Sequence, residues 1–184
     1  MNILPVVVLY NIDFRETNAF LTLLSQQKGC RILLYENSPE PMNQSYASET
    51  VAYYHDAHNG GVSAAYNYGA ELADRLGDVD ALLLLDEDTR FEADYLSRLQ
   101  SAMEQNPDVS LFVPQVLYAG DEPFSPIHRG LRWKRDAWLG EGRYSLRHYL
   151  PVNSGACIRL SAFRQAEGYQ TTIRLDFADF DFFS

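Results

Sequence analysis

Five consecutive apolar residues, Ala81 to Leu85, run directly into three carboxylates, Asp86-Glu87-Asp88. A run this short, apolar at every position and bounded by polar residues, suits a strand buried on both faces. Such strands belong to mostly parallel sheets with helices packed on either side. The rest of the first two-thirds of the chain supplies the partners. Ile3 to Tyr10, Ile32 to Tyr35, Val51 to Tyr54 and Val109 to Tyr118 read as further strands, rich in β-branched, leucine and aromatic residues. Asp13 and Glu16 have the spacing of a capping box, which predicts a helix with Phe20, Leu21, Leu23 and Leu24 on its apolar face and Gly29 at its end. Glu36 to Glu49, with Pro39 and Pro41, reads as a loop. Gly60-Gly61 turns into a helix over Val62 to Leu76 that Gly77 closes, and Phe91 to Gln105 reads as another. The fold class expected is therefore α/β.

From Ala119 to Tyr149 glycines, prolines, arginines and aromatic residues alternate, which predicts loops and short antiparallel strands. Val152 to Leu160 then reads as a strand and Ser161 to Ala166 as a short helix. The chain stops at Ser184 within an acidic-aromatic segment, an unusual terminus that suggests a longer natural protein.

The formal net charge of −10 argues against a nucleic-acid partner, since an acidic surface repels phosphate backbones. It leaves room for a small phosphorylated substrate bridged by a divalent cation. Cys30 and Cys157 lie too far apart in sequence to form a metal-ligand motif and too few to form a disulfide framework, as in a reducing compartment. The residues after Met1 lack the basic and apolar regions of a secretory signal, and no stretch reaches the ~20 apolar residues of a spanning helix.

Ligands of such sheets bind beyond the carboxyl ends of the strands. Those ends hold Tyr10-Asn11, Glu36-Asn37, His55 to Gly61, and Asp86-Glu87-Asp88. In extended chain Asp86 and Asp88 share a side, so both carboxylates can face one magnesium or manganese ion. An acidic loop capping the next helix would use the same residues. Gly60 and Gly61 permit close backbone approach, and the amides that follow can face a phosphate, unless this is an ordinary strand-helix turn. His55 and His58 are three apart at a strand end and form a weaker metal pair. Asp176, Asp179 and Asp181, set among apolar rings, can include a general base or simply open a helix.

In order along the chain, VVVLYN (6–11), YENS (35–38), NGGVSAAYNYG (59–69), LLLLDEDTRF (82–91), NSGACIRLSAF (153–163) and LDFADFDFF (175–183) resemble the family-two glycosyltransferases of the GT-A fold, in particular their bacterial rhamnosyltransferase-like branch. The resemblance implies a GT-A, Rossmann-like central sheet, with residues 1–118 as the nucleotide-sugar-binding half and 119–184 as an acceptor-side half of the same domain. It matches Asp86-Glu87-Asp88 to the family's DXD motif, with Asp88 on a Mg2+ or Mn2+ ion and Asp86 on the ribose or the metal. Tyr10, Asn11 and Glu36 match the nucleobase and ribose pocket, although many members have Asp where this chain has Glu36. Asn59, Gly60, Gly61 and Asn67 match the border of the nucleotide, and Asn153, Ser154 and Gly155 the floor of the sugar and acceptor site. Asp179 aligns with the catalytic aspartate, although Ala178 replaces the usual Glu or Val before it. The implied reaction moves a sugar from dTDP-rhamnose or a UDP-sugar to a glycan or lipid-linked acceptor, with inversion. It would take place in the cytoplasm, with peripheral association at the inner membrane face.

Three other readings remain open on the residues. A haloacid dehalogenase-type phosphatase would use DxDx[TV], but Thr89 follows Asp88 one residue too early. A sugar-phosphate nucleotidylyltransferase would need a Gly-rich basic loop after the first strand, where this chain has Tyr10-Asn11-Ile12-Asp13. A non-catalytic or truncated nucleotide-sugar-binding domain would keep the donor residues without turnover.

Overall fold

The computed structural model describes residues 1–24, 31–118, 122–129, 138–175 and 177–184. The elements in chain order are β1 (Ile3–Leu9), β2 (Ile32–Glu36), β3 (Val51–His55), α1 (Gly61–Leu76), β4 (Ala81–Asp86), α2 (Tyr95–Gln105), β5 (Leu111–Phe112), β6 (Val116–Tyr118), β7 (Glu122–Ser125), β8 (Ile127–His128), β9 (Tyr149–Leu150), β10 (Cys157–Arg159), α3 (Leu160–Gln165) and α4 (Ala178–Phe182). A six-stranded sheet has the order β3-β2-β1-β4-β10-β5, and β6-β7 and β8-β9 form two small antiparallel pairs. Strands β1 to β4 run parallel, whereas β10 runs antiparallel to β4 and β5. This is the expected α/β class with antiparallel pieces in the second part.

Alternation along the strands builds two cores. Leu4, Val6, Val8, Leu82 and Leu84 pack with Val62, Ala65, Tyr66 and Ala73 of α1. Ile3, Val7, Leu9, Leu83 and Leu85 pack on the other face with Leu96, Leu99 and Met103 of α2. Successive side chains of a strand point to opposite faces, so a run with helices on both sides must be apolar throughout. Leu82 to Leu85 are fully buried as a result.

Four expected elements differ. Asp13 does not open a long helix. Its carboxylate accepts from the Arg15 amide at 2.9 Å and caps a single 3-10 turn, Phe14–Glu16. The Thr17 backbone then extends, and its hydroxyl takes the Phe20 amide at 3.2 Å ahead of a π-type turn, Phe20–Leu24. Leu23 is buried but Leu21 is 58% exposed, so the apolar face is narrower than expected. The closure at Gly29 lies outside the described residues. The strand expected over Val109 to Tyr118 is divided into β5 and β6, with Pro114, which has no amide to donate, between them. The strand expected over Val152 to Leu160 is only β10, because 153–156 closes a turn with the Ala156 amide on the Asn153 carbonyl at 2.8 Å. The helix expected from Phe91 begins at Tyr95.

Candidate active site

Register brings the strand ends to one edge. Leu9 pairs with Glu36, Glu36 with His55, and Val8 with Asp86. The loops that follow turn sharply there. Asn11 and Asn59 adopt positive φ of 53° and 49°, which asparagine tolerates better than most residues.

A cleft of about 310 Å³ opens at this edge. Asp86 at the end of β4, Asn153 and Ser154 of the 153–156 turn before β10, and Asp179 of α4 line its polar side. Val62, Phe124, Ile127, Val152, Leu175, Phe177 and Phe180 supply the apolar side. Phe177 takes a positive φ of 68°, sparsely populated for an aromatic residue, as the chain turns into α4. The Asp179 carboxylate accepts from the Phe180 amide at 2.8 Å.

Asp86 is held rather than loose. It accepts from the Tyr66 hydroxyl at 3.1 Å and from the Ser154 hydroxyl at 2.9 Å. Burial pushes its carboxyl above the usual aspartate range, against those two donors and helped by the neighbouring charge of Asp88. Burial, with the charge of Asp86 next, pushes the Tyr66 phenol far up, so it stays a donor. Strand β4 ends at Asp86, and residues 86–89 close a turn in which the Thr89 amide donates to the Asp86 carbonyl at 3.1 Å. The position of Asp88 therefore follows from the turn, not from the strand alternation expected from the sequence. Its side chain is exposed and takes no hydrogen bond among the described residues.

Several residues expected around the nucleotide have other partners. Glu36 is fully buried, and its carboxylate accepts from the Tyr53 hydroxyl at 2.6 Å, the Asn43 side-chain amide at 3.0 Å, and the Met42 and Asn43 backbone amides at 3.1 Å. It anchors the 37–43 loop and has no surface for a base. Burial raises its pKa, but the donors, Tyr53 first, leave it below the usual glutamate value. The Gly60 amide donates to Asp56 at 2.8 Å, the Gly61 amide to the Asn37 side chain at 3.3 Å, and the Val62 amide to the Arg174 carbonyl at 2.9 Å. These amides are satisfied within the protein and do not form an open phosphate cradle. Gly61 has φ +75°, and a Cβ there would lie 1.8 Å from the Arg174 carbonyl oxygen. The glycine thus makes room for chain rather than ligand. Asn67 grips Tyr169, donating to its carbonyl and accepting from its amide, both at 2.8 Å. Gly155, φ +81°, packs under Pro114 and its carbonyl accepts from Tyr95 at 2.6 Å. His55 bonds the Ser38 carbonyl at 2.8 Å. Tyr10, 46% exposed, Asn11 and Asn59 border the same edge outside the cleft. Asp176 lies outside the described residues, and Asp181 lines a separate hollow beside Tyr169.

The sequence reading missed Tyr66 and Tyr169. Tyr66 stands inside the 59–69 motif, four residues after Val62 on the sheet-facing side of α1, so helical spacing could have found it. Tyr169 follows Gly168 with no motif around it.

A cleft at the carboxyl edge of a parallel sheet, with an acidic strand end on one side and an antiparallel strand beside it, is the GT-A arrangement. The protein belongs to the family described as Glycosyl transferase family 2, whose model matches residues 17–165. It is 23% identical over 184 residues to the dTDP-rhamnosyl transferase RfbF of Shigella flexneri, covering 97% of this chain and 60% of that protein. The chain thus spans about 60% of the length of that curated relative. Among solved structures it is similar to GalNAc-T7 with UDP, GalNAc and Mn2+, with a TM-score of 0.66 at 13% identity over all of this chain and 40% of that one. It is likewise similar to S. aureus TarS 1-349 in complex with UDP, with a TM-score of 0.64 at 12% identity over all of this chain and 54% of that one. The family and fold expected from the six motifs are borne out. The match leaves no role for the phosphatase reading.

Proposed function

We propose that this chain binds the nucleotide diphosphate of an activated sugar and transfers the sugar, with inversion, to a hydroxyl of a glycan or lipid-linked acceptor. The observation that carries the reading is the single cleft in which Asp86, Asn153, Ser154 and Asp179 meet, drawn from three separate stretches of chain. Direct displacement at an anomeric carbon needs a base on the acceptor side and stabilisation of the leaving diphosphate. Asp179 is the base in this scheme: it takes the proton of the acceptor hydroxyl as that oxygen bonds to the anomeric carbon. Asn153 and Ser154 orient the sugar, while Tyr10, Asn11 and Asn59 hold the nucleoside at the rim.

A diphosphate next to Asp86, Glu87 and Asp88 requires a counter-cation, because four or more negative charges would otherwise repel in a partly dry cleft. Asp88, exposed and without a hydrogen bond among the described residues, fits that task, with Asp86 behind it. No group of three or more cation-binding side chains occurs among the described residues, so diphosphate oxygens and water would complete the ligand set. A bound Mg2+ or Mn2+ would supply charge stabilisation for the departing diphosphate.

The rhamnosyl transferase relative favours dTDP-rhamnose, and the UDP-bound neighbours favour a UDP-sugar. Calorimetric titration with dTDP and UDP, with and without manganese, on the wild type and Asp88→Ala tests the scheme. Metal-dependent binding that disappears in the variant is the expected result, and the preferred base narrows the donor. A folded wild type that binds neither nucleotide under any condition refutes it. Binding without transfer to any acceptor favours a donor-binding domain that lacks turnover. We place the reaction in the cytoplasm, with peripheral contact at the inner membrane face where lipid-linked acceptors are presented. No helix among the described residues is long and apolar enough to cross a membrane. Co-sedimentation with anionic vesicles tests the contact.

A further inference from the structure

Asn153 is 7% exposed, and the cleft is the space it lines. A side-chain amide has an acceptor end and a donor end, and what each does depends on which is tied down. Here the Tyr169 hydroxyl donates to Asn153 Oδ1 at 2.6 Å, within the buried pair. A phenol in this setting can only donate to a carbonyl oxygen. Burial, then the charges of Asp179 and Asp86, push the Tyr169 phenol far above its ordinary range, so it keeps its proton. The Asn153 Nδ2 group makes no hydrogen bond among the described residues, and Asn153 lines the cleft.

Tyr169 is itself braced. Its backbone is gripped at both polar atoms by Asn67 on α1. Its ring stacks on Phe182 of α4 at 4.0 Å between centroids and lies 5.4 Å from Tyr66, which holds Asp86. A residue pinned by α1 and α4, the helices that frame the cleft, is suited to fixing the direction of a neighbour.

We propose that Tyr169 is a positioning residue, braced by Asn67, that locks the Asn153 amide so that its N–H donors face the cleft and bind an oxygen of the sugar donor. That oxygen is a lone-pair acceptor, either a diphosphate oxygen or a sugar hydroxyl. The inference rests on the donor-binding reading above and adds two residues to it.

The test is a double-mutant cycle of Tyr169→Phe and Asn153→Ala, read by calorimetry with manganese, using the nucleoside diphosphate preferred by the wild type and the corresponding nucleotide-sugar. Losing one fixed donor contact weakens binding by roughly five- to tenfold. Each single variant shows that loss, and the double variant loses no more than either, because both remove one contact. Equal losses for diphosphate and nucleotide-sugar identify a phosphate oxygen, whereas loss confined to the nucleotide-sugar identifies a sugar hydroxyl. In 15N-resolved spectra without ligand, the Asn153 side-chain amide pair is sharp in the wild type and shifts and broadens in Tyr169→Phe. A purely structural role for Tyr169 would lower stability without this coupling.

Additive losses, or a Tyr169→Phe protein that binds like the wild type while Asn153→Ala does not, overturn the inference and leave the proposed function standing. A wild type that binds neither ligand overturns both. Should Tyr169→Phe fail to fold, Asn67→Ala decides. It loosens Tyr169 while keeping its hydroxyl, and a loss of about two- to fivefold is expected. Unchanged affinity there refutes the positioning role.

Discussion

Gly61→Ala separates two explanations of the glycine pair before α1. As a phosphate cradle, Gly61 would be needed for ligand approach, and alanine would cost little beyond its left-handed backbone, about 1–2 kcal/mol. The structure assigns it another task. An alanine Cβ would sit 1.8 Å from the Arg174 carbonyl oxygen and 2.6 Å from the carbonyl carbon, where ordinary contact begins near 3.4 Å. The 173–175 backbone would have to retreat by well over an ångström. That movement breaks the bond from the Val62 amide to Arg174, 2.9 Å long, and the bond from the Ser63 hydroxyl to the Ile173 carbonyl. Each bond is worth about 1 kcal/mol net. Together with the backbone term, the loss is roughly 3–4 kcal/mol, a large share of the 5–15 kcal/mol typical of a folded domain. Urea unfolding followed by circular dichroism measures it as a fall in midpoint with an unchanged slope. The same retreat displaces Leu175 and Phe177, so nucleotide-sugar binding weakens as well. A stability loss of no more than about 1–2 kcal/mol, with binding abolished, refutes the packing account and restores the phosphate one.

Three further outcomes are expected. Asp86→Asn removes a partly buried charge whose folded pKa is raised, so it relieves a penalty that grows as pH rises through the ordinary aspartate range. Its melting temperature at pH 7 should exceed that of the wild type in scanning calorimetry while transfer activity falls. Glu36→Gln has the opposite sign: the lowered pKa of Glu36 means that its stabilisation is complete above the usual glutamate value, roughly 4.3, and is lost as pH falls through the lower folded value. The variant should be less stable at pH 7 and lose less stability between neutral and acid pH, measured by urea midpoints at several pH values. Asp179→Asn should retain nucleotide-sugar affinity within about twofold while losing transfer by at least ~100-fold, as removal of a general base does. A parallel loss of affinity in calorimetry would move Asp179 from the base to donor binding.

Much of the architecture is legible in the residues because burial on both faces leaves a local trace. Leu82 to Leu85 must be apolar at every position when α1 packs on one side of the sheet and α2 on the other, and that shows without neighbours. The ordered motifs likewise mark Asp86, Asn153, Ser154 and Asp179, which the structure gathers in one cleft. Boundaries were less legible where a single residue redirects the chain, as with Pro114 between β5 and β6, or the turn at 153–156. What only the tertiary structure decided is which polar groups are already used. Glu36, Gly60, Gly61 and Asn67 look like ligand contacts in a linear reading, yet each is satisfied by a residue 4 to 113 positions away: Tyr53 and Asn43, Asp56, Asn37 with the Arg174 segment, and Tyr169. A hydrogen bond or a steric vacancy depends on distances of a few ångströms between distant stretches of chain, and composition and spacing contain no such distances. The sequence alone therefore determined the sheet, its polar edge and the family, while folding decided which of the edge residues stay open to a ligand.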